Sequence, residues 1–193
     1  MKIKKVILLS GKKRSGKSTA AGLLKTIDNS VKEVAFATPL KQILSGTFNV
    51  PYQELDEWKN NDRYCIHNIS PEDDVKDMVY EVQSYRAIMQ NFGDSVKKSF
   101  GKDIWVHRAY ELIQEYFQFT DTVVVSDWRY VNEYTYLAEM LKNVKIVTVR
   151  ISTADAAEDI HSSEMELDNY AFDIVIDNTG TLEDLKESLK GLL

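Results

Sequence analysis

Short, largely β-branched apolar runs recur along the chain within 5–9, 33–37, 122–126, 144–151 and 172–177, each bounded by turn or capping residues. Such runs fit strands buried on both faces of a parallel sheet. Helical spacing lies between them. Ile88, Phe92, Val96 and Phe100 recur every fourth residue, and Trp105, Ala109, Leu112, Ile113 and Tyr116 follow a three-to-four spacing. Leu182, Leu185 and Leu189 come after Thr181, an N-cap residue with Asp184 three positions on. The alternation predicts an α/β fold, an about five-stranded parallel sheet with helices on both faces. Residues 49–82 break the pattern: they are polar and contain Pro51 and Pro71. They predict an inserted, substrate-binding flap with short helices, within a single domain spanning 1–193.

Composition narrows the class. A chain of 193 residues has the length of one domain and buries roughly 70% of its unfolded surface, enough for a core without covalent staples. Its single cysteine, Cys65, cannot close an intramolecular disulfide, which excludes a disulfide-built secreted fold and fits a reducing cytosol. No apolar run approaches the ~18 residues of a membrane span, and Val6–Leu9 is too short for a signal peptide. The expectation is a soluble cytoplasmic protein with no membrane partner.

The net charge of −6 argues against a nucleic-acid surface. Its distribution says more. Residues 1–27 hold eight Lys or Arg and no acid, leaving 16 of the 24 basic residues and all 30 acidic ones to the rest. Lys2, Lys4 and Lys5 read as the solvated flank of the first strand. The remaining cations point to a local anion site.

That site has a motif. Gly11-Lys12-Lys13-Arg14-Ser15-Gly16-Lys17-Ser18 satisfies G-x-x-x-x-G-K-[ST], after an apolar strand and ahead of a helical pattern at Ala20, Ala21, Leu23, Leu24 and Ile27. The glycines permit a tight turn whose N–H groups face phosphate oxygens. The helix starting near Lys17 adds its positive end. Lys17 is expected to reach the β- and γ-phosphates of ATP and Ser18 to ligate Mg²⁺; Gly11–Thr19 is the candidate ATP site, with Thr19 itself helix surface or core. Asp127, after the run Val123–Val125, is placed to hold Mg²⁺ through water.

Three further segments bear on the acceptor. In Phe36-Ala37-Thr38-Pro39-Leu40-Lys41, Pro39 suits a first helical turn and Lys41 follows the second strand. In Tyr85–Gly93, Arg86 and Gln90 share a helix face; a guanidinium can fork onto phosphate and an amide can read a base edge. In Asp127-Trp128-Arg129-Tyr130-Val131-Asn132-Glu133, Arg129 lies two residues past the Mg²⁺ carboxylate.

Through GKKRSGKST, FATPLK, YRAIMQNFG with DIWV, DWRYVNE, HSSE and DNTGTLEDL, the whole chain resembles the phage-type deoxynucleoside monophosphate kinases of the P-loop kinase group. The resemblance implies ATP-dependent phosphorylation of a deoxynucleoside monophosphate to its diphosphate. It implies that Lys41, Arg86 and Arg129 grip the acceptor and transferring phosphates, with Gln90 and Trp105 near the base, and it suggests a host cytoplasm. Kinases of this group supply lid arginines, yet no Lys or Arg occurs between Arg150 and Lys186, where ten acids do. Arg150 and Arg14 are the candidates for that role beside Lys17 and Arg129.

A phosphate acceptor is already ionised at neutral pH, so no side chain need remove a proton, and catalysis reduces to positioning and charge neutralisation. A hydroxyl acceptor (a nucleoside or cofactor precursor) would want a carboxylate base, for which Asp127 or Glu133 could serve. A nucleotide switch that transfers nothing is the third reading. Partners are small-molecule nucleotides, with a homodimer left open.

Other constellations give little. Cys65 and His67 are too few for zinc. His161 and Glu164, three apart, suggest a structural hydrogen bond as readily as chemistry. His107 reads as helix surface, Trp58 as a residue that could stack on a base, and Trp105, despite the resemblance, as core. Tyr110, Tyr116, Tyr134 and Tyr136 read as packing.

Overall fold

The computed structural model describes residues 3–55, 65–69, 80–153 and 166–193, with the backbone alone at 65–69 and 80–84. The chain divides into two units, one formed by Met1–Phe36 with Trp105–Leu193 and the other by Ala37–Ile104.

The first unit is built on five parallel strands: β1 (Lys5–Ser10), β2 (Lys32–Val34), β5 (Thr122–Val125), β6 (Lys145–Ser152) and β7 (Ile174–Asp177), with β3 and β4 reserved for the second unit. Their order across the sheet is β2-β5-β1-β6-β7. The register Leu8↔Val125 and Ser10↔Arg150 brings the carboxyl ends of the three central strands to one edge. The apolar runs make these strands because alternate residues serve opposite faces. Val6 and Leu8 pack beneath α4 (Ile104–Tyr116) and α5 (Val131–Met140) with Val106, Ala109, Ile113, Trp128 and Leu137. Ile7 and Leu9 pack against Ala20, Ala21 and Leu24 of α1 (Lys17–Ile27) and Leu185 and Leu189 of α6 (Leu182–Lys190). Helices therefore cover both faces, as expected. Tyr110, Tyr116, Tyr134 and Tyr136 all pack on the first core. Lys5, at the strand flank, donates to the carbonyls of Leu192 at 2.6 Å and Leu193 at 3.1 Å.

The second unit holds α2 (Thr38–Phe48), a one-turn 3-10 helix (Tyr52–Glu54), an antiparallel hairpin of β3 (Cys65–Ile69) and β4 (Tyr80–Ser84), and α3 (Tyr85–Phe100). Leu44, Val50, Leu55, Tyr85 and Met89 form its core. Pro39 stands in the first turn of α2, where its missing N–H costs nothing.

Several expectations are corrected. The segment 49–82 holds, besides the short helix Tyr52–Glu54, the strand β3 and the start of β4, and the period-two alternation of Tyr80 and Val82 with Glu81 and Gln83 is the signal for the latter. On α3 the buried stripe is Tyr85, Met89 and Gly93, with Ile88 and Phe92 at its edge and Phe100 exposed. Tyr85, at the helix start, is set edge-on to Phe48 at 6.0 Å. Leu182 is exposed, although Thr181 and Asp184 form the expected capping box. β2 ends at Val34 rather than 37, since the Phe36 N–H leaves the sheet for the Asp127 carboxylate at 2.7 Å.

Candidate active site

The turn between β1 and α1 is held by its glycines. Gly11, Arg14 and Gly16 have φ of 155°, 64° and 99°. A Cβ on Gly11 would overlap the Ile151 carbonyl and the Ser15 hydroxyl; one on Gly16 would overlap the Asn178 amide. The Ser15 N–H closes the turn onto the Lys12 carbonyl at 3.1 Å. α1 then begins with no side-chain cap and no acid in its first turn, so its N–H groups and positive end are kept for an anion. Lys17 folds back over the turn and donates to the carbonyls of Gly11 and, at 2.8 Å, Lys12. Ser15 is buried, and its hydroxyl has no hydrogen-bond partner among the described residues. Arg14, Ser18 and Thr19 are exposed, Lys13 half-buried.

On the other side of β1, the segment after β5 is braced residue by residue. Asp127 Oδ1 accepts the Phe36 N–H, and the Trp128 N–H reaches the Leu9 carbonyl at 3.1 Å. The buried Trp128 indole donates to the Tyr130 carbonyl at 2.8 Å and meets Tyr170 and Phe172 edge-on at 4.9 and 5.5 Å. Glu133 Oε2 accepts the N–H groups of Arg129 and Tyr130 at 3.0 and 3.1 Å, capping α5. Arg129 thus stands on a backbone with little freedom. Burial first, then Tyr134 and Asp173, holds the Tyr170 phenol above its usual range, so it stays neutral beneath this segment.

Arg150 lies within β6, beside Ser10. Its guanidinium donates to the Ser10 hydroxyl at 3.1 Å and to Asp168 Oδ1 at 2.7 Å, and rests on the Phe172 ring at 5.5 Å. The other oxygen of Asp168 is 3.6 Å from the Lys12 ammonium. One carboxylate therefore links a loop cation to a sheet cation. A cavity of about 250 Å³ is lined by Lys12, Ser15, Arg150, Ile151, Ser152 and Thr153. Past β7, Asn178 donates its side-chain N–H to the Ser15 carbonyl at 3.0 Å.

The first unit thus carries the Gly11–Thr19 turn, Asp127, Arg129 and Arg150 at the carboxyl ends of its strands. Trp105 is buried in the first turn of α4. Lys41, half-buried on α2, and Arg86 and Gln90 on α3 belong to the second unit. Asp168, Asn178 and the capping role of Glu133 escape sequence reasoning, though a Glu at the third helical position after Tyr130 is the signal for a cap. Trp58, His161 and Glu164 lie outside the described residues, and Cys65 and His67 fall on the β3 backbone. Among the described residues no group of three His, Cys, Asp or Glu could hold a metal, and no helix is long and apolar enough to cross a membrane.

The sequence model of the family described as deoxynucleotide monophosphate kinase matches residues 5–58 and 50–189. The chain belongs to that family. It is accordingly a nucleotide kinase, a phosphotransferase on a P-loop kinase fold. Among solved structures it is similar to TT1252 from Thermus thermophilus, 17% identical over 99% of this chain and 97% of that one, with a TM-score of 0.51. That likeness concerns the fold. The APS kinase CysC of Mycobacterium tuberculosis, in complex with AMPPNP and APS, is 10% identical over 100% and 98% of the two chains, at a TM-score of 0.46. Among curated proteins no sequence matches the chain.

Proposed function

We propose that this kinase transfers the γ-phosphoryl group of ATP to the phosphate of a deoxynucleoside monophosphate. The observation that carries the reading is the glycine-framed turn, in which a Cβ at Gly11 or Gly16 would overlap its neighbours, beside a cavity lined by Lys12 and Arg150. With the uncapped start of α1 beside it, the ligand that fits is a polyphosphate.

Within this reading Lys17 leaves its two loop carbonyls for the β- and γ-phosphates. Arg14, Arg129 and Arg150 neutralise charge on the transferring group, and Lys41 and Arg86 hold the acceptor phosphate, with Gln90 toward the base; Trp105, buried in α4, stays a core residue. Ser18 and Asp127 offer the hard oxygen donors that suit Mg²⁺. When bound, the ion would neutralise charge between the β- and γ-phosphates.

The phosphate acceptor is favoured over a hydroxyl by what the two nearby carboxylates do. Glu133 is engaged by two backbone N–H groups as a cap, and Asp127 holds the Phe36 N–H. Glu133 is thereby committed to the cap, and in this reading Asp127 serves as a metal donor rather than a base. A coupled assay of ADP formation across a panel of deoxynucleoside monophosphates tests the reading. Stimulation by at least one of them is expected; stimulation by an alcohol substrate alone would overturn it.

A further inference from the structure

We infer that Asn178 is a positioning residue of the phosphate-binding turn, aiming the Gly16 N–H into the anion site by holding the opposite edge of the same peptide plane. The inference rests on the polyphosphate reading given above and extends it to a residue outside the G-x-x-x-x-G-K-[ST] motif.

The geometry begins at the end of β7. Asn178 follows Asp177, and its backbone N–H continues the β6–β7 ladder by donating to the Ser152 carbonyl at 2.7 Å. Three residues on, Thr181 caps α6 and receives the Asp184 N–H at 3.2 Å. Asn178 is therefore fixed between a strand end and a helix start. From there its side-chain N–H reaches across to the Ser15 carbonyl at 3.0 Å.

A trans peptide unit is planar, with its C=O and N–H pointing in opposite directions. The Ser15 carbonyl and the Gly16 N–H belong to one such unit, and the chain has no cis bond among its described residues. Drawing the carbonyl toward Asn178 turns the Gly16 N–H to the other side. Without the tie, rotation of that unit would let the carbonyl oxygen, an acceptor, face the phosphates.

Gly16 completes the arrangement. Its φ of 99° is one that side-chain-bearing residues avoid, and the place of its missing Cβ is taken by the Asn178 amide. The second motif glycine thus answers to a close neighbour as well as to a turn. Only a short side chain ending in a donor makes this contact. Aspartate has the same size but would set an anionic oxygen against the Ser15 carbonyl and add negative charge beside the phosphates.

The test uses the full-length chain and its variants N178A and N178D. Calorimetry measures binding of ADP and of inorganic tripolyphosphate, which has no base, and thermal melting is recorded in parallel. Loss of one hydrogen bond predicts about tenfold weaker tripolyphosphate binding by folded N178A, with a larger loss for N178D. A merely structural asparagine would lower the melting temperature and leave the affinity of the folded protein unchanged. Wild-type tripolyphosphate affinity in both variants overturns the inference, as does a loss confined to ADP, which would make Asn178 a base contact. Failure of the wild-type chain to bind either ligand would instead remove the polyphosphate reading itself.

Discussion

Replacing Gly16 by alanine puts a Cβ where the Asn178 amide sits, on a backbone at φ 99°. A left-handed conformation costs a side-chain-bearing residue about 1–2 kcal/mol. Displacing the amide from the Ser15 carbonyl adds about 1 kcal/mol. The sum, about 2–3 kcal/mol, corresponds in a chain of this length to a melting temperature lower by about 4–12 °C. Gly22 provides the internal control. It lies inside α1, and a Cβ there meets nothing within 4 Å. Glycine in a helix interior is about 0.5–1 kcal/mol worse than alanine, so the same substitution at this site should raise the melting point by about 1–4 °C. Differential scanning calorimetry of the two variants beside the wild type reads both signs, and ADP binding should weaken only for G16A. If G16A melts at or above the wild-type temperature, the argument from positive φ and close approach is refuted.

Two further outcomes follow from the same geometry. Lys17→Ala should cut turnover by about a thousandfold in the coupled assay, since a cation on the transferring phosphates is lost; turnover near wild type would take Lys17 out of the mechanism. The Asp184 carboxyl is held below the usual aspartate range by the hydroxyl and N–H of Thr181. A depressed folded-state pKa stabilises above the unfolded value and is lost as pH falls through the folded one. The melting point of D184N should therefore lie below wild type at neutral pH, with the gap closing in acid; a gap constant with pH would contradict the cap.

Much of the architecture could be read from local pattern. Strands buried on both faces are rich in apolar, β-branched residues, so β1, β5 and β6 announce themselves, and the turn between β1 and α1 is a contiguous motif whose glycines and lysine act on their own neighbours. Thr181 and Asp184 are likewise a local device. What the pattern could not yield was every contact made across the chain. Asp168 reaches Arg150 and Lys12 only because β6 lies beside β1. Asn178 reaches Ser15, 163 positions earlier, because β7 ends level with Ser152. Phe36 leaves β2 for a carboxylate 91 positions away. Periodicity tells which face of an element is apolar, but charge pairs and amide ties depend on which strand ends become neighbours, and strand order is decided by the packing of the whole sheet.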